Sequence, residues 1–188
     1  MRFAQAGWDG FAPPALFFLR RPHTEPTERL DVSTPSDREI RLTRAFDAPR
    51  PRVFDAMTQP EILKRWLLGP PGWTMEVCTV DARPGGAYRF EWRGPGDAKM
   101  GLGGVHREVM PGERIVNTQL FDEDWTGGEV VGTLALTEHD GRTTLTNTML
   151  YPSATARDAV LKSGMTEGMR AGYDRLADLL KGPAAGVA

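Results

Sequence analysis

The chain has 188 residues, a formal net charge of −2 with both signs mixed, and one cysteine, Cys78. That length suits one domain plus an extension, and the charge gives no electrostatic footprint for nucleic acid or a polybasic membrane patch. A single cysteine excludes an intrachain disulfide and fits a reducing cytoplasm. No apolar run reaches the length of a membrane span, so no membrane insertion is expected. Arg20 and Arg21 follow the short stretch from Ala15 to Leu19 rather than precede it, so it does not read as an export signal.

Residues 1–37 carry Pro13, Pro14, Pro22, Pro26 and Pro35 with no sustained period. They read as a disordered or loosely docked N-terminal arm, with Phe11 to Leu19 as the stretch able to dock; an upstream start codon is the other account of it. The folded domain is expected over 38–182, with a flexible tail at 183–188. "REIRLTRAF" alternates, placing Ile40, Leu42 and Arg44 against Arg41, Thr43 and Ala45, and reads as a strand. Two short helices follow. Pro49 and Pro51 suit the first turn of one, Pro60 opens the next with Thr58 and Glu61 at capping-box spacing, and "GPPG", Gly69 to Gly72, stops it.

Six strands are then expected, near 74–81, 86–93, 99–109, 113–121, 129–138 and 142–150. Turn chemistry separates them, most clearly the type I′ signal Asp140-Gly141. In "AYRFEWR", Tyr88, Phe90 and Trp92 share one face and Arg89, Glu91 and Arg93 the other, as in a sheet covered on one side. A last helix is expected over 155–181, capped by Thr155 and Asp158; at 1.5 Å per residue it spans about 40 Å, enough to cross a seven-stranded sheet roughly 30 Å wide. The order gives an α+β layer: a curved seven-stranded antiparallel sheet around a long C-terminal helix, with two short helices after the first strand.

That helix carries Gly164, Gly168 and Gly172 in one row beside Leu161, Met165, Met169 and Tyr173. Interior glycine costs a helix about 1 kcal/mol relative to alanine. Two accounts stand: close approach to a neighbouring element, or bare backbone and adaptable methionine leaving a cavity against the aromatic face of the sheet. Trp66 and Trp73, flanking the proline-rich loop, read either as core or as a wall at a pocket mouth. His106 is a surface or hydrogen-bonded histidine, or, if inward, an acid–base group. Gly101, Gly103 and Gly104 in its strand permit a bulge or bend. Asn117 and Gln119 share a face with Ile115 and Phe121, and Asn147 lies between Leu145 and Met149; whether these faces point inward is open. The three histidines show no metal spacing, and no nucleophile-elbow serine is present. Neither a metal nor a cofactor is expected.

The stretch "RAFDAPRPRVFDAMTQPEILKRWLLGPPGWTMEVCTVDARPGGAYRFEWRG", with "GGVHREVMPGERIVNTQLFD" and the closing "PSATARDAVLKSGMTEGMRAGYDRLADLL", resembles the SRPBCC superfamily. Its closest branch is the Aha-type C-terminal domain of heat-shock ATPase activators. The resemblance spans roughly residues 38–181. It implies a helix-grip, START-like fold with a hydrophobic cavity between sheet and helix, similar to polyketide cyclases. It also implies a bulky apolar ligand as partner. Relatives often read "RWWGP" where this chain has "RWLLGP", Arg65 to Pro70, so that end of the cavity is expected to differ. Residues 1–37 are too short to supply the additional N-terminal domain of the eukaryotic activators, so chaperone activation is not expected.

On this basis the expected function is cytoplasmic binding of a small or medium hydrophobic molecule, aromatic or lipid-like, by a monomer or homodimer. The candidate lining is Trp66, Trp73, Tyr88, Phe90, Trp92, His106, Asn117, Met149, Met165 and Met169. The alternatives are a cyclase, dehydratase or hydrolase using the same cavity, and a chaperone-cofactor-like or regulatory interaction module in which the cavity is filled.

Overall fold

The computed structural model describes residues 28–182; residues 1–27 and 183–188, within the expected arm and tail, lie outside the described residues. The chain runs β1 (Asp31–Ser33), β2 (Glu39–Phe46), α1 (Arg50–Thr58), α2 (Pro60–Trp66), β3 (Thr74–Val80), β4 (Ala87–Arg93), β5 (Lys99–Met110), β6 (Arg114–Phe121), β7 (Val130–His139), β8 (Arg142–Leu150), α3 (Ala154–Lys162) and α4 (Met165–Lys181). All strands join one sheet in the order β1-β2-β8-β7-β6-β5-β4-β3, with antiparallel neighbours throughout. This is an α+β helix-grip fold. β2 and β3 lie far apart in the sheet, and α1, α2 and the loop 67–73 carry the chain between them.

Three details depart from the sequence expectations. The sheet has eight strands rather than seven, because Asp31–Ser33, assigned to the arm, pairs with Arg41–Thr43 of β2. Three residues between prolines carry too little periodicity to read as a strand; the free edge of β2 supplies the partner. The expected caps are also displaced. Thr58 does not cap α2: its hydroxyl turns back to donate to the Phe54 carbonyl. At α3 the cap is Ser153, whose Oγ accepts from Ala156 N, rather than Thr155.

The third departure answers the glycine question. The C-terminal helix is broken at Ser163-Gly164, and Gly164 sits at φ +81°, a left-handed conformation that costs a side chain about 1–2 kcal/mol. So Gly164 is the joint between α3 and α4 rather than part of a bare face. Gly172 supports the close-packing account. A Cβ there would lie 3.5 Å from the Trp66 carbonyl oxygen and 3.6 Å from its ring, so α4 presses its backbone against the end of α2. At Gly168 a Cβ would meet only Pro70, at 3.8 Å.

The core follows the amphipathic faces. Ile40, Leu42 and Phe46 of β2 point inward, and Arg44 follows them, its guanidinium 2.5 Å from Asp174 of α4. Tyr173 is 1 % exposed; it meets the Phe46 ring edge-on at 6.0 Å and the Trp66 ring at 5.7 Å. Leu176 and Leu180 complete the filled half of the helix face. The hairpin β7–β8 turns at Asp140 and Gly141, both at positive φ, as a type I′ turn requires.

The glycines should therefore respond in opposite ways to alanine. Gly168→Ala meets only ordinary contact and gains helix propensity, so it should stabilise by up to about 1 kcal/mol. Gly164→Ala must hold a Cβ at positive φ and should destabilise by about 1 kcal/mol. Urea unfolding of the two variants checks both signs.

Candidate functional site

A cavity of about 530 Å³ lies between the inner face of the sheet and the helices. Strand alternation builds its floor. Tyr88, Phe90 and Trp92 of β4, Met100, Leu102 and His106 of β5, and Ile115, Asn117, Gln119 and Phe121 of β6 all line it. The opposite face of β4 carries Arg89 and Arg93, paired with Asp122 just past β6 and with Glu76 of β3. Helix α4 contributes Met165, Gly168, Met169, Gly172 and Tyr173 to the roof. All ten residues expected as lining, Trp66, Trp73, Tyr88, Phe90, Trp92, His106, Asn117, Met149, Met165 and Met169, are on this wall. The parity left open by the sequence is settled: Asn117, Gln119 and Asn147 face inward.

Several lining groups are held by hydrogen bonds. Trp66, 2 % exposed, donates from Nε1 to the Ala56 carbonyl at 2.9 Å, which ties α2 to α1; it is a core residue as well as a wall. Trp92 Nε1 donates to the Leu67 carbonyl at 2.7 Å, and Arg175 of α4 donates to the carbonyls of Trp66 and Gly69, both at 3.1 Å. The proline-rich loop is thereby fastened to both the sheet and the helix. Trp73 lies flat on Gly94, where any Cβ would overlap its ring. Pro70, Trp125, Ser163 and Gly164 are both exposed and lining, so they mark the opening.

Trp125 and Thr126, in the loop between β6 and β7, were not singled out from the sequence. Trp125 packs against Phe121 with the rings tilted by 50° and their centroids 5.0 Å apart, and the buried Thr126 donates its hydroxyl to the Gly128 carbonyl. A tryptophan in the polar stretch "FDEDWTGGE" was the available signal.

His106 is 5 % exposed, contrary to the surface placement that a lone strand histidine favours. Neither ring nitrogen has a hydrogen-bond partner among the described residues. An unsatisfied buried polar group costs about 1–3 kcal/mol. The ring lies 5.2 Å from that of Tyr88, whose hydroxyl is committed to the Thr118 carbonyl at 2.7 Å. Gly104 makes this corner possible, since a Cβ there would overlap the Thr118 carbonyl oxygen. The β5–β6 register shifts between His106 and Glu108, a bulge that falls past Gly101, Gly103 and Gly104 rather than at them. Burial lowers the His106 pKa, with the Asp81 carboxylate opposing, and raises those of the Tyr88, Tyr151 and Tyr173 hydroxyls. The buried Cys78 thiol is likewise raised, which leaves it a small apolar filler. No metal-holding group of three His, Cys, Asp or Glu occurs among the described residues.

The lining residues run from Met57 to Tyr173. The sequence model of the family described as "Activator of Hsp90 ATPase homolog 1-like protein" matches residues 47–181, which contain every one of them. The chain belongs to this family. A protein of Rhodobacter sphaeroides is 33% identical with a TM-score of 0.77, over 81% of this chain and 98% of its own. One from Chromobacterium violaceum is 32% identical with a TM-score of 0.67, over 77% and 99%. A Mycobacterium smegmatis protein is 28% identical with a TM-score of 0.71, over 83% and 98%. No curated protein matches. Among the described residues no helix is long and apolar enough to cross a membrane. Leu67, in the Leu67-Leu68 pair before Gly69, lines the cavity while its carbonyl receives the Trp92 indole.

The histidine gives a pH test. Its unfolded pKa is near 6.5 and its folded value is lower. Between the two, the unfolded chain binds more protons than the native one, so stability falls as pH drops through about 6.5 and levels off below the folded value. Urea unfolding across that window should show the loss in the native chain and a smaller one in His106→Gln. An NMR titration midpoint at or above the ordinary histidine value would contradict the burial argument.

Proposed function

We propose that this protein binds a small or medium hydrophobic molecule, aromatic or lipid-like, in the cavity between the sheet and the C-terminal helices. The observation that carries this reading is the cavity itself: about 530 Å³, within the roughly 300–1,000 Å³ typical of ligand pockets. Its walls are mainly aromatic, aliphatic and methionine side chains. Burial of apolar surface drives affinity at about 25 cal/mol per Å², before ordering costs. Met165 and Met169, unbranched and polarisable, adapt their shape to a guest. An interaction module with a filled cavity is the weaker reading, because the space under these methionines is open. In this reading the protein acts in the cytoplasm, as a monomer or homodimer.

A second reading, cyclisation, dehydration or hydrolysis in the same cavity, draws on the inward placement of His106, Asn117 and Asn147. Neither nitrogen of His106 has a hydrogen-bond partner among the described residues, so the imidazole is uncommitted and could transfer a proton once turned towards a substrate.

A thermal-shift screen over fatty acids, aromatic compounds and polyketides tests the binding reading. A ligand at 100 times its dissociation constant should add about 2.7 kcal/mol of stability. Met169→Trp, which fills the roof, should keep the fold and lose the shift. If no compound in such a library moves the midpoint, the binding proposal fails.

A further inference from the structure

Among the cavity's polar groups, most are already engaged. The Tyr88 hydroxyl donates to the Thr118 carbonyl, Asn147 hydrogen-bonds the Tyr173 hydroxyl, and Asn117 Oδ1 accepts from Gln119 Nε2 at 3.3 Å. His106 is the exception, with both nitrogens buried and without a hydrogen-bond partner among the described residues. In the β5–β6 register it lies directly opposite Asn117. The two side chains therefore form one polar corner in a wall that is otherwise mostly apolar.

The remaining lining sets the charge of whatever reaches that corner. No Asp, Glu, Lys or Arg side chain lines the cavity among the described residues. A guest carboxylate or ammonium would lose its hydration with no opposite charge to meet it, a cost that binding seldom recovers. A neutral imidazole, by contrast, presents one donor and one acceptor. A hydroxyl is its complement, because it also donates once and accepts. Tyr88 lies against the His106 ring, and Phe90 and Trp92 continue that aromatic wall along β4, which favours a planar body behind that hydroxyl.

We propose that His106, with Asn117 across the strand pair, is the polar subsite of this cavity and receives the hydroxyl of a neutral hydroxylated aromatic, a phenol or enol. This rests on the cavity-binding reading and adds the class of the guest. Seating the hydroxyl requires the imidazole to rotate out from behind its neighbours, a side-chain change common on binding. Exchanging the hydroxyl for an apolar group of similar size forfeits this hydrogen bond and loses affinity about ten-fold.

The test measures dissociation constants of the full chain for 2-naphthol, 2-methylnaphthalene and 2-naphthoate by tryptophan fluorescence. The expected order is naphthol tightest by about ten-fold over methylnaphthalene, with naphthoate weakest. His106→Leu should bind naphthol and methylnaphthalene equally. Nitrogen-15 shifts of the His106 ring in the native chain should move with naphthol and stay put with methylnaphthalene, a readout that does not depend on the variant folding. Equal binding of naphthol and methylnaphthalene by the native chain removes the subsite and leaves the cavity reading standing. Tightest binding of naphthoate overturns the neutral class alone. Failure of all three to bind overturns both.

Discussion

The contact on which the rest of this structure depends is that between Tyr173 and Trp66. Tyr173 is fully enclosed, with Phe46 of β2 on one side, Trp66 of α2 on another and Asn147 of β8 at its hydroxyl. It joins both ends of the sheet's long crossover to the C-terminal helix. Gly172 permits the contact: without a side chain there, α4 comes close enough for the Trp66 carbonyl and ring to reach its backbone. The same carbonyl then accepts from Arg175, one turn further along. Helix, crossover and sheet are locked at one place by packing and hydrogen bonds that share residues.

The hollow is the consequence of locking at that place. Below Tyr173 the helix carries Leu176 and Leu180, which fill the space to the sheet. Above it the helix carries Gly168 and the partly buried Met165 and Met169, and then breaks at Gly164. Side chains on this half are too short or too pliant to close on the aromatic face of β4. Cavities cost a core stability through lost packing. A protein that retains one while sealing the other half of the same helix has segregated its stabilising half from its open half. The loop 67–73, held by Arg175 and Trp92, keeps the hollow from collapsing on the near side, and Trp125 packed against Phe121 walls the far side.

Much of this was legible along the chain because alternation is a local signal. The aromatic face of β4, the hairpin at Asp140-Gly141 and the amphipathic face of α4 each follow from neighbours two to four residues apart. The resemblance to the activator-type branch added the grip of sheet on helix and the cavity between them. Where local signals were weak, expectation and structure part. Asp31–Ser33 is a strand only because β2 offers an edge, and Ser153 rather than Thr155 caps α3 because the hydroxyl of the residue just before the helix reaches Ala156 N. Glycines of equal spacing proved to have unequal duties, since a glycine's use is set by its φ and by what approaches it, neither of which a sequence states.

The amino-acid sequence by itself determined which side chains share a face and how the elements follow one another, because both are properties of short stretches and their periods. It also determined that α4 would be sparsely covered on one half. Only the tertiary structure decided which strand faces point inward for Asn117 and Asn147, and that His106 would be buried with both nitrogens unpartnered. It alone broke the last helix at Gly164 and brought Trp125 to the rim. These outcomes rest on register across strands and on contacts between residues far apart in the chain, where a shift of one position moves every side chain to the other face.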